Sequence, residues 1–222
     1  MLDYAQARRL MVDCQLRTFD VTDIALLDAF DAVPRERFMP ADRQDFAYID
    51  QPQAVGTEDG ETRFMPAPMV LARLIQALAL KPGNRVLEVG TGLGYGAALL
   101  RRLGVEVVAL ESLPGLATAA RERLAEGGLG AGATVEVGPL EKGAPDHAPY
   151  DAILINGQVE QRPQTLLEQL ADGGRLACVQ GQGRPAKATL WVRSGDAFGS
   201  RPLFDANLPS LRAFAVEPGF AF

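Results

Sequence analysis

A short apolar run, Arg85-Val86-Leu87-Glu88-Val89, stops at Gly90-Thr91-Gly92-Leu93-Gly94-Tyr95-Gly96 and is followed at once by Ala97-Ala98-Leu99-Leu100-Arg101-Arg102-Leu103. The order strand, glycine loop, helix constrains this chain more than any other feature. Glycines let a ligand approach the backbone, and the helix that follows points its first N–H groups at that ligand. The next strand, Val105 to Glu111, ends in an acid 19 residues after Gly92, where a carboxylate can hold the two hydroxyls of a ribose. Gly92-Leu93-Gly94-Tyr95-Gly96-Ala97 also satisfies the G-x-G-x-x-A form of the dinucleotide fingerprint, so an NAD-dependent oxidoreductase competes with any other nucleoside binder here. Glu88 counts against it, because a pyrophosphate gains nothing from an anion just ahead of the loop. A cationic ligand suits Glu88 better. The alternative for Glu88 is a strand-end carboxylate that caps the N–H groups of the loop.

The remainder of the second part repeats the alternation. Thr134 to Gly138, Tyr150 to Asn156 and Arg175 to Gln180 read as strands, and residues 116 to 126 and 163 to 171 as helices, the last stopped by Gly173-Gly174. Alternating strands and helices imply a parallel sheet covered on both faces, and the unbroken apolar run Ala152 to Ile155 fits a strand buried on both sides. The ending differs: Ala188 to Arg193, Ser194-Gly195-Asp196, then Ser200 to Ala206 reads as two strands joined by a short turn without a crossover helix. An antiparallel hairpin therefore closes the sheet where a dinucleotide fold would add a parallel sixth strand. Trp191 is a packing residue on it, and His147 an exposed histidine in a loop.

Residues 1–80 predict helices and loops without a strand of any length. Ala7, Leu10, Met11 and Cys14 share one helical face; Leu26, Ala29, Phe30 and Val33 share another behind a Thr22 cap, and Pro34 ends that helix. A third helix carries Leu71, Leu74, Ile75 and Leu78 and runs to Pro82-Gly83. Between Pro34 and Pro68 lie Pro40, Pro52, Pro66, two glycines and the aromatics Phe38, Phe46, Tyr48 and Phe64. Its aromatic content argues for an ordered loop, either wrapped over a site or packed on the sheet. The expected organisation is one compact unit: an extension over residues 1–80 that covers the site, and an α/β domain over residues 81–222.

Charge and cysteine usage narrow the partners. Lys and Arg number 22 against 28 Asp and Glu, a net charge of -6, which repels a nucleic-acid backbone. Cys14 and Cys178 lie 164 residues apart with no C-x-x-C and one histidine in the chain, so no zinc site or disulfide framework can be assembled, and both are expected as small core residues. No run reaches the 18 or so apolar residues of a membrane span, and the first residues lack the apolar core of a signal peptide, so the expected compartment is the cytoplasm.

The segment Val86 to Tyr95, with Glu111 ending the next strand, resembles motif I of class I S-adenosylmethionine methyltransferases. Gln15-Leu16-Arg17, Val33-Pro34-Arg35-Glu36-Arg37-Phe38-Met39-Pro40, Ala47-Tyr48-Ile49-Asp50, Ala148-Pro149-Tyr150-Asp151-Ala152-Ile153 and Gln169-Leu170-Ala171-Asp172-Gly173-Gly174-Arg175-Leu176 together narrow the resemblance to the protein-L-isoaspartate O-methyltransferase family. That resemblance implies a Rossmann-like, mostly parallel seven-stranded sheet ending in an antiparallel hairpin, with an N-terminal helical extension. It also implies methyl transfer from S-adenosyl-L-methionine to the free carboxylate of isoaspartyl residues in damaged proteins, with S-adenosyl-L-homocysteine as product. Glu88, Gly90, Thr91, Gly92, Gly94 and Glu111 are then the cofactor-binding candidates, and Phe64, Met65 and Pro66 the acceptor-side candidates. No metal is implied, and the oligomeric state stays open. Three positions depart from the family. Pro66 stands where a serine contacts the reacting region, Gly138-Pro139-Leu140 where Gly-Asp-Gly meets the adenine, and Asn156-Gly157-Gln158 where the family has Thr-Ala-Ala. A relative with a different acceptor, or a binding module without catalysis, is the alternative these departures leave.

Overall fold

The protein is described by a computed structural model over residues 2–183 and 185–216; the last six residues of the expected second unit lie outside the described residues. The chain forms α1 (Tyr4–Met11), α2 (Ile24–Ala32), β1 (Gln53–Glu58), β2 (Glu61–Met65), α3 (Pro68–Leu78), β3 (Arg85–Val89), α4 (Tyr95–Arg102) and β4 (Glu106–Glu111). It continues through α5 (Pro114–Ala125), β5 (Thr134–Val137), β6 (Tyr150–Val159), α6 (Gln164–Glu168), β7 (Leu170–Gln180), β8 (Lys187–Ser194) and β9 (Ala197–Asp205). Seven strands make one sheet in the order β5-β4-β3-β6-β7-β8-β9. The first five pair in parallel; β8 is antiparallel to both its neighbours, which is the terminal hairpin expected from the absent crossover helix.

Pleating sorts the strand side chains to two faces. Val86, Val107, Ala109, Ala152, Leu154, Ala177 and Val179 join one core with α1 to α5, whereas Leu87, Val89, Val108, Leu110, Ile153, Ile155, Leu176 and Cys178 join another with α6 and Phe214. Each fully buried Leu or Ile contributes about 1.5–3 kcal/mol over exposure, so both layers are held by the strands they cover. Pro68 at the first turn of α3, whose missing N–H needs no partner there, and Leu71, Leu74, Ile75 and Leu78 fully or nearly buried give the helix the single apolar face read from the sequence. It stops at Ala79 in left-handed backbone, φ +50°, ahead of Pro82. Trp191 is buried as expected, its indole N–H donating to Gln180, and the imidazole of His147 pairs with Glu136 in a half-exposed position.

Four local expectations are corrected. First, residues 1–80 do contain strands: β1 and β2 form an antiparallel hairpin around Asp59 and Gly60, both at positive φ, and this hairpin occupies much of the segment read as loop. Second, α1 runs into a π-helical turn, Val12–Leu16, whose extra residue rotates the buried face. Met11, Val12 and Leu16 turn inward, while Leu10 and Cys14 are exposed, so Cys14 is no core residue. Third, the cap of α2 is Asp23, whose carboxylate accepts from the Leu26 N–H, and not Thr22. Fourth, α6 ends at Glu168 and the chain is already a strand at Leu170. Tyr150 pairs with Leu170 and Ala152 with Arg175, so residues 171 to 174 bulge out of the ladder instead of finishing a helix.

Candidate active site

The loop after β3 is held in a shape only glycine adopts easily. Gly90, Gly92 and Gly94 have φ of +76°, +59° and +93°. The N–H groups of Gly90 and Thr91 both donate to the Leu110 carbonyl, tying the loop to the end of β4. Neighbouring parallel strands β3 and β4 thus present their carboxyl ends side by side, at the place where the strand order turns back through β6. Ligands of open α/β sheets bind in that crevice.

Glu88 organises the loop from below. It is fully buried, and its carboxylate accepts from the Thr91 hydroxyl at 2.5 Å and from Asn156 Nδ2 at 2.5 Å, with a further bond from the Ala97 N–H at the start of α4. A Cβ on Gly96 would lie 1.8 Å from Glu88 Oε1, so this glycine is required for helix and carboxylate to approach. Burial pushes the Glu88 carboxyl up to about 7, against the hydrogen bonds from Thr91, Asn156 and Ala97, which pull it down.

Glu111, at the end of β4, is also fully buried. Three backbone N–H groups donate to it: Gly92 at 2.8 Å, Ser112 at 2.9 Å and Leu113 at 3.2 Å. Arg63 of β2 completes its shell, with Nη2 at 2.9 Å and Nε at 3.1 and 3.2 Å from the two oxygens. The same guanidinium reaches Ser112 Oγ at 3.0 Å and Glu61 at 3.0 Å, and its side chain is 1% exposed. Arg63 was not foreseen as a site residue. The signal was present: Asp59-Gly60 is a type of dipeptide that favours a two-residue hairpin turn, and alternation along β2 puts Arg63 and Met65 on its inward face.

Of the three residues expected on the acceptor side, Met65 and Pro66 are buried and Phe64 is half-buried. The Pro66 carbonyl accepts from Arg35 Nη2 at 2.7 Å, and Arg35 Nε donates to the Ala47 carbonyl at 2.6 Å while its guanidinium lies 4.9 Å from the centre of the Tyr95 ring. The Val-Pro-Arg block thus fixes the backbone at Pro66 from inside the core. Phe64, Pro66 and Asn156 line two adjoining clefts, one beneath β1 against Gly90 to Gly96 and one against Leu208 to Leu211. The first encloses about 10 Å³, room for about one water, because Val55 and Arg63 pack within 3.2 and 3.3 Å of a Cβ on Gly92. Asn156 is 5% exposed, and with its Nδ2 committed to Glu88 its Oδ1 has no partner. Of the candidates named from sequence, Glu88, Gly90, Thr91, Gly92, Gly94 and Glu111 cluster at the two strand ends, and Phe64, Met65 and Pro66 border them from the hairpin. Asn156, like Arg63, was not among those candidates. Among the described residues no group of His, Cys, Asp and Glu is placed to hold a metal, and no helix is long and apolar enough to cross a membrane.

Comparison with known proteins places the chain in a family and supports its fold. The family described as protein-L-isoaspartate(D-aspartate) O-methyltransferase matches residues 6–198. A protein-L-isoaspartate O-methyltransferase of Methylorubrum extorquens is 44% identical over 200 residues, covering 90% of this chain and 85% of its own. One from Roseiflexus castenholzii is 38% identical over 211 residues, 95% and 94% of the two chains. Among solved structures, one titled protein-L-isoaspartate O-methyltransferase superposes with a TM-score of 0.79 at 23% identity over 93% of this chain and 65% of that one. A Plasmodium falciparum structure, described as a complex of such an enzyme with S-adenosyl-L-homocysteine, gives a TM-score of 0.74 at 19% identity over 96% of this chain and 100% of that one.

Proposed function

Because the chain belongs to the protein-L-isoaspartate O-methyltransferase family, we propose that it methylates the free carboxylate of L-isoaspartyl residues in damaged proteins, with S-adenosyl-L-methionine as methyl donor. The carrying observation is the glycine loop Gly90 to Gly94 set against the buried carboxylate of Glu111, within a chain related to that family along nearly its whole length. The cleft's chemistry fits the cofactor. Positive-φ glycines let the backbone come close to the methionine part, Glu111 can accept two ribose hydroxyls once Arg63 has left it, and the unpartnered Asn156 Oδ1 can accept an ammonium proton. Glu88 then acts through the loop it shapes. When bound, the cofactor supplies a sulfonium whose methyl carbon is transferred to an acceptor oxygen, leaving a neutral thioether and a methyl ester.

The acceptor carboxylate is already ionised at neutral pH, so the protein needs no strong general base. Its residues must hold the acceptor oxygen in line with the methyl group, at roughly 3 to 3.5 Å, and keep water out. Phe64 and Pro66 supply the apolar wall, and Arg35 fixes the Pro66 backbone against movement. The core shared by α1 to α5 and the sheet supports reading residues 1–80 as a covering extension of one unit with residues 81–222, and two free thiols in the described residues accord with a cytoplasmic site of action.

A second reading, a different acceptor, is favoured by one observation. Where a hydroxyl would donate to a carboxylate, this cleft offers Pro66, which has neither a hydroxyl nor an N–H to give. The two readings part in one experiment. The protein is incubated with a labelled methyl donor and an isoaspartyl peptide, its aspartyl counterpart or a lysate of the source cell. Base-labile label on the isoaspartyl peptide alone is the expected result. Base-stable label in the lysate with neither peptide modified would refute carboxylate repair. Pro66→Ser should raise peptide methylation by on the order of 10² if the missing hydroxyl limits the rate.

A further inference from the structure

We propose that Arg63 is seated where the cofactor's ribose must go, so that S-adenosylmethionine binds by displacing it from Glu111 and this arginine sets the affinity for the cofactor. The proposal rests on the reading of Glu111 as the ribose acceptor.

A carboxylate offers about four lone-pair sites. At Glu111 they are taken by five N–H groups: three from the backbone of Gly92, Ser112 and Leu113, and two from Arg63. No acceptor site is left for a pair of ribose hydroxyls. The backbone donors belong to the glycine loop and to the turn after β4, and they cannot leave without rebuilding both. The guanidinium can leave, because it sits at the end of a side chain on a two-stranded hairpin, an element with little stability of its own.

Space makes the same demand as the hydrogen bonds. The cleft against the glycine loop encloses about 10 Å³, whereas a site for a nucleoside-sized ligand requires several hundred. Side chains of the hairpin fill it, Val55 and Arg63 lying on Gly92, and the hairpin backbone at Gly56 packs so closely on Leu116 of α5 that a Cβ would meet it at 2.5 Å. The Glu58 carboxylate accepts from the Gly115 N–H at 3.0 Å, fastening the hairpin to the first turn of α5. A destination for the displaced cation is already built. Glu61 stands two residues before Arg63 on β2, is partly exposed and already bonds Arg63 Nη1, so the guanidinium can swing toward solvent while keeping that partner. Displacement exchanges one buried ion pair for two neutral donors on the same carboxylate, and the difference is taken from the cofactor's binding energy.

The test reads Arg63 directly in the native protein. Phenylglyoxal modifies exposed guanidinium groups, and mass spectrometry of the digest locates the adduct. In the free protein Arg63 should be unreactive; with S-adenosyl-L-homocysteine at saturation, verified by calorimetry, its modification should rise at least several-fold while buried Arg35 stays protected. In parallel, Arg63→Gln should bind S-adenosyl-L-homocysteine roughly tenfold to a hundredfold more tightly, the equivalent of removing one or two charge-assisted bonds that the ligand must otherwise break. Calorimetric binding with Arg63 as unreactive as before, or with an affinity unchanged in Arg63→Gln, overturns the displacement and leaves the cofactor reading standing. Absence of any binding to either protein removes the cofactor reading and the displacement with it. The labelling experiment needs no variant, so it decides even where Arg63→Gln does not fold.

Discussion

Replacing Glu88 by Gln separates burial from hydrogen bonding at the heart of the loop. In the folded protein the carboxyl is raised from 4.5 to about 7 by desolvation, with the Thr91, Asn156 and Ala97 bonds opposing and the charge of Glu111 adding a smaller push upward. Between those two values the folded chain keeps a proton that the unfolded chain has released. The stability Glu88 contributes is therefore full below about 4.5 and is lost as pH rises through about 7. Linkage between the two values gives a loss of about 2 kcal/mol between about pH 5.5 and about pH 8. Gln has nearly the same shape and cannot ionise, so Glu88→Gln should lack that slope. Urea unfolding of both proteins across this interval, which stays above the isoelectric point near 4.9, gives the difference directly. The variant's unfolding free energy minus that of the parent should grow by about 2 kcal/mol from the acid to the alkaline end. Parallel profiles would refute the reasoning, because they would mean that the three hydrogen bonds outweigh burial and keep the carboxylate ionised throughout.

Gly96→Ala places a methyl 1.8 Å from Glu88 Oε1 in a region with no slack, and the cost should be about 3 kcal/mol or more, read as a fall in the urea midpoint; a midpoint within error of the parent would show that the carboxylate can move aside. Glu111→Ala should abolish the thermal shift that S-adenosyl-L-homocysteine produces, a shift equivalent to about 2.7 kcal/mol at a hundredfold excess over Kd in the parent; an unchanged shift would remove Glu111 from the ribose. Pro139→Asp should leave calorimetric binding of the same ligand intact or tighten it, since Pro139 at the start of the turn Leu140–Lys142 offers the adenine neither a carboxylate nor an N–H; lost binding with a normal fold would displace the adenine from this loop.

The doubly covered parallel sheet, the glycine loop and the pair Glu88 and Glu111 were legible from the chain itself, since each is a local pattern: an apolar run, a glycine cluster that tolerates positive φ, an acid at a strand end. The terminal hairpin was legible for the same reason, through the missing helix between β8 and β9. Periodicity failed at α1 because the π turn Val12–Leu16 carries Cys14 outward and Leu16 inward, while the apolar pattern, which also enlisted the exposed Leu10, still fitted a regular helix. The β1–β2 hairpin was passed over because its polar residues, Thr57, Glu58, Glu61 and Thr62, hide a strand that has only one inward face.

What the chain determined alone was which groups stand at the ends of β3 and β4. What only the folded structure decided was whom those groups face. Residues 48 apart bring Arg63 onto Glu111, and residues 68 apart bring Asn156 onto Glu88. Neither pairing leaves a mark at its own position, because a buried charge takes its partner from whatever element the topology lays against it, and in this protein a hairpin from outside the sheet was laid across the cleft.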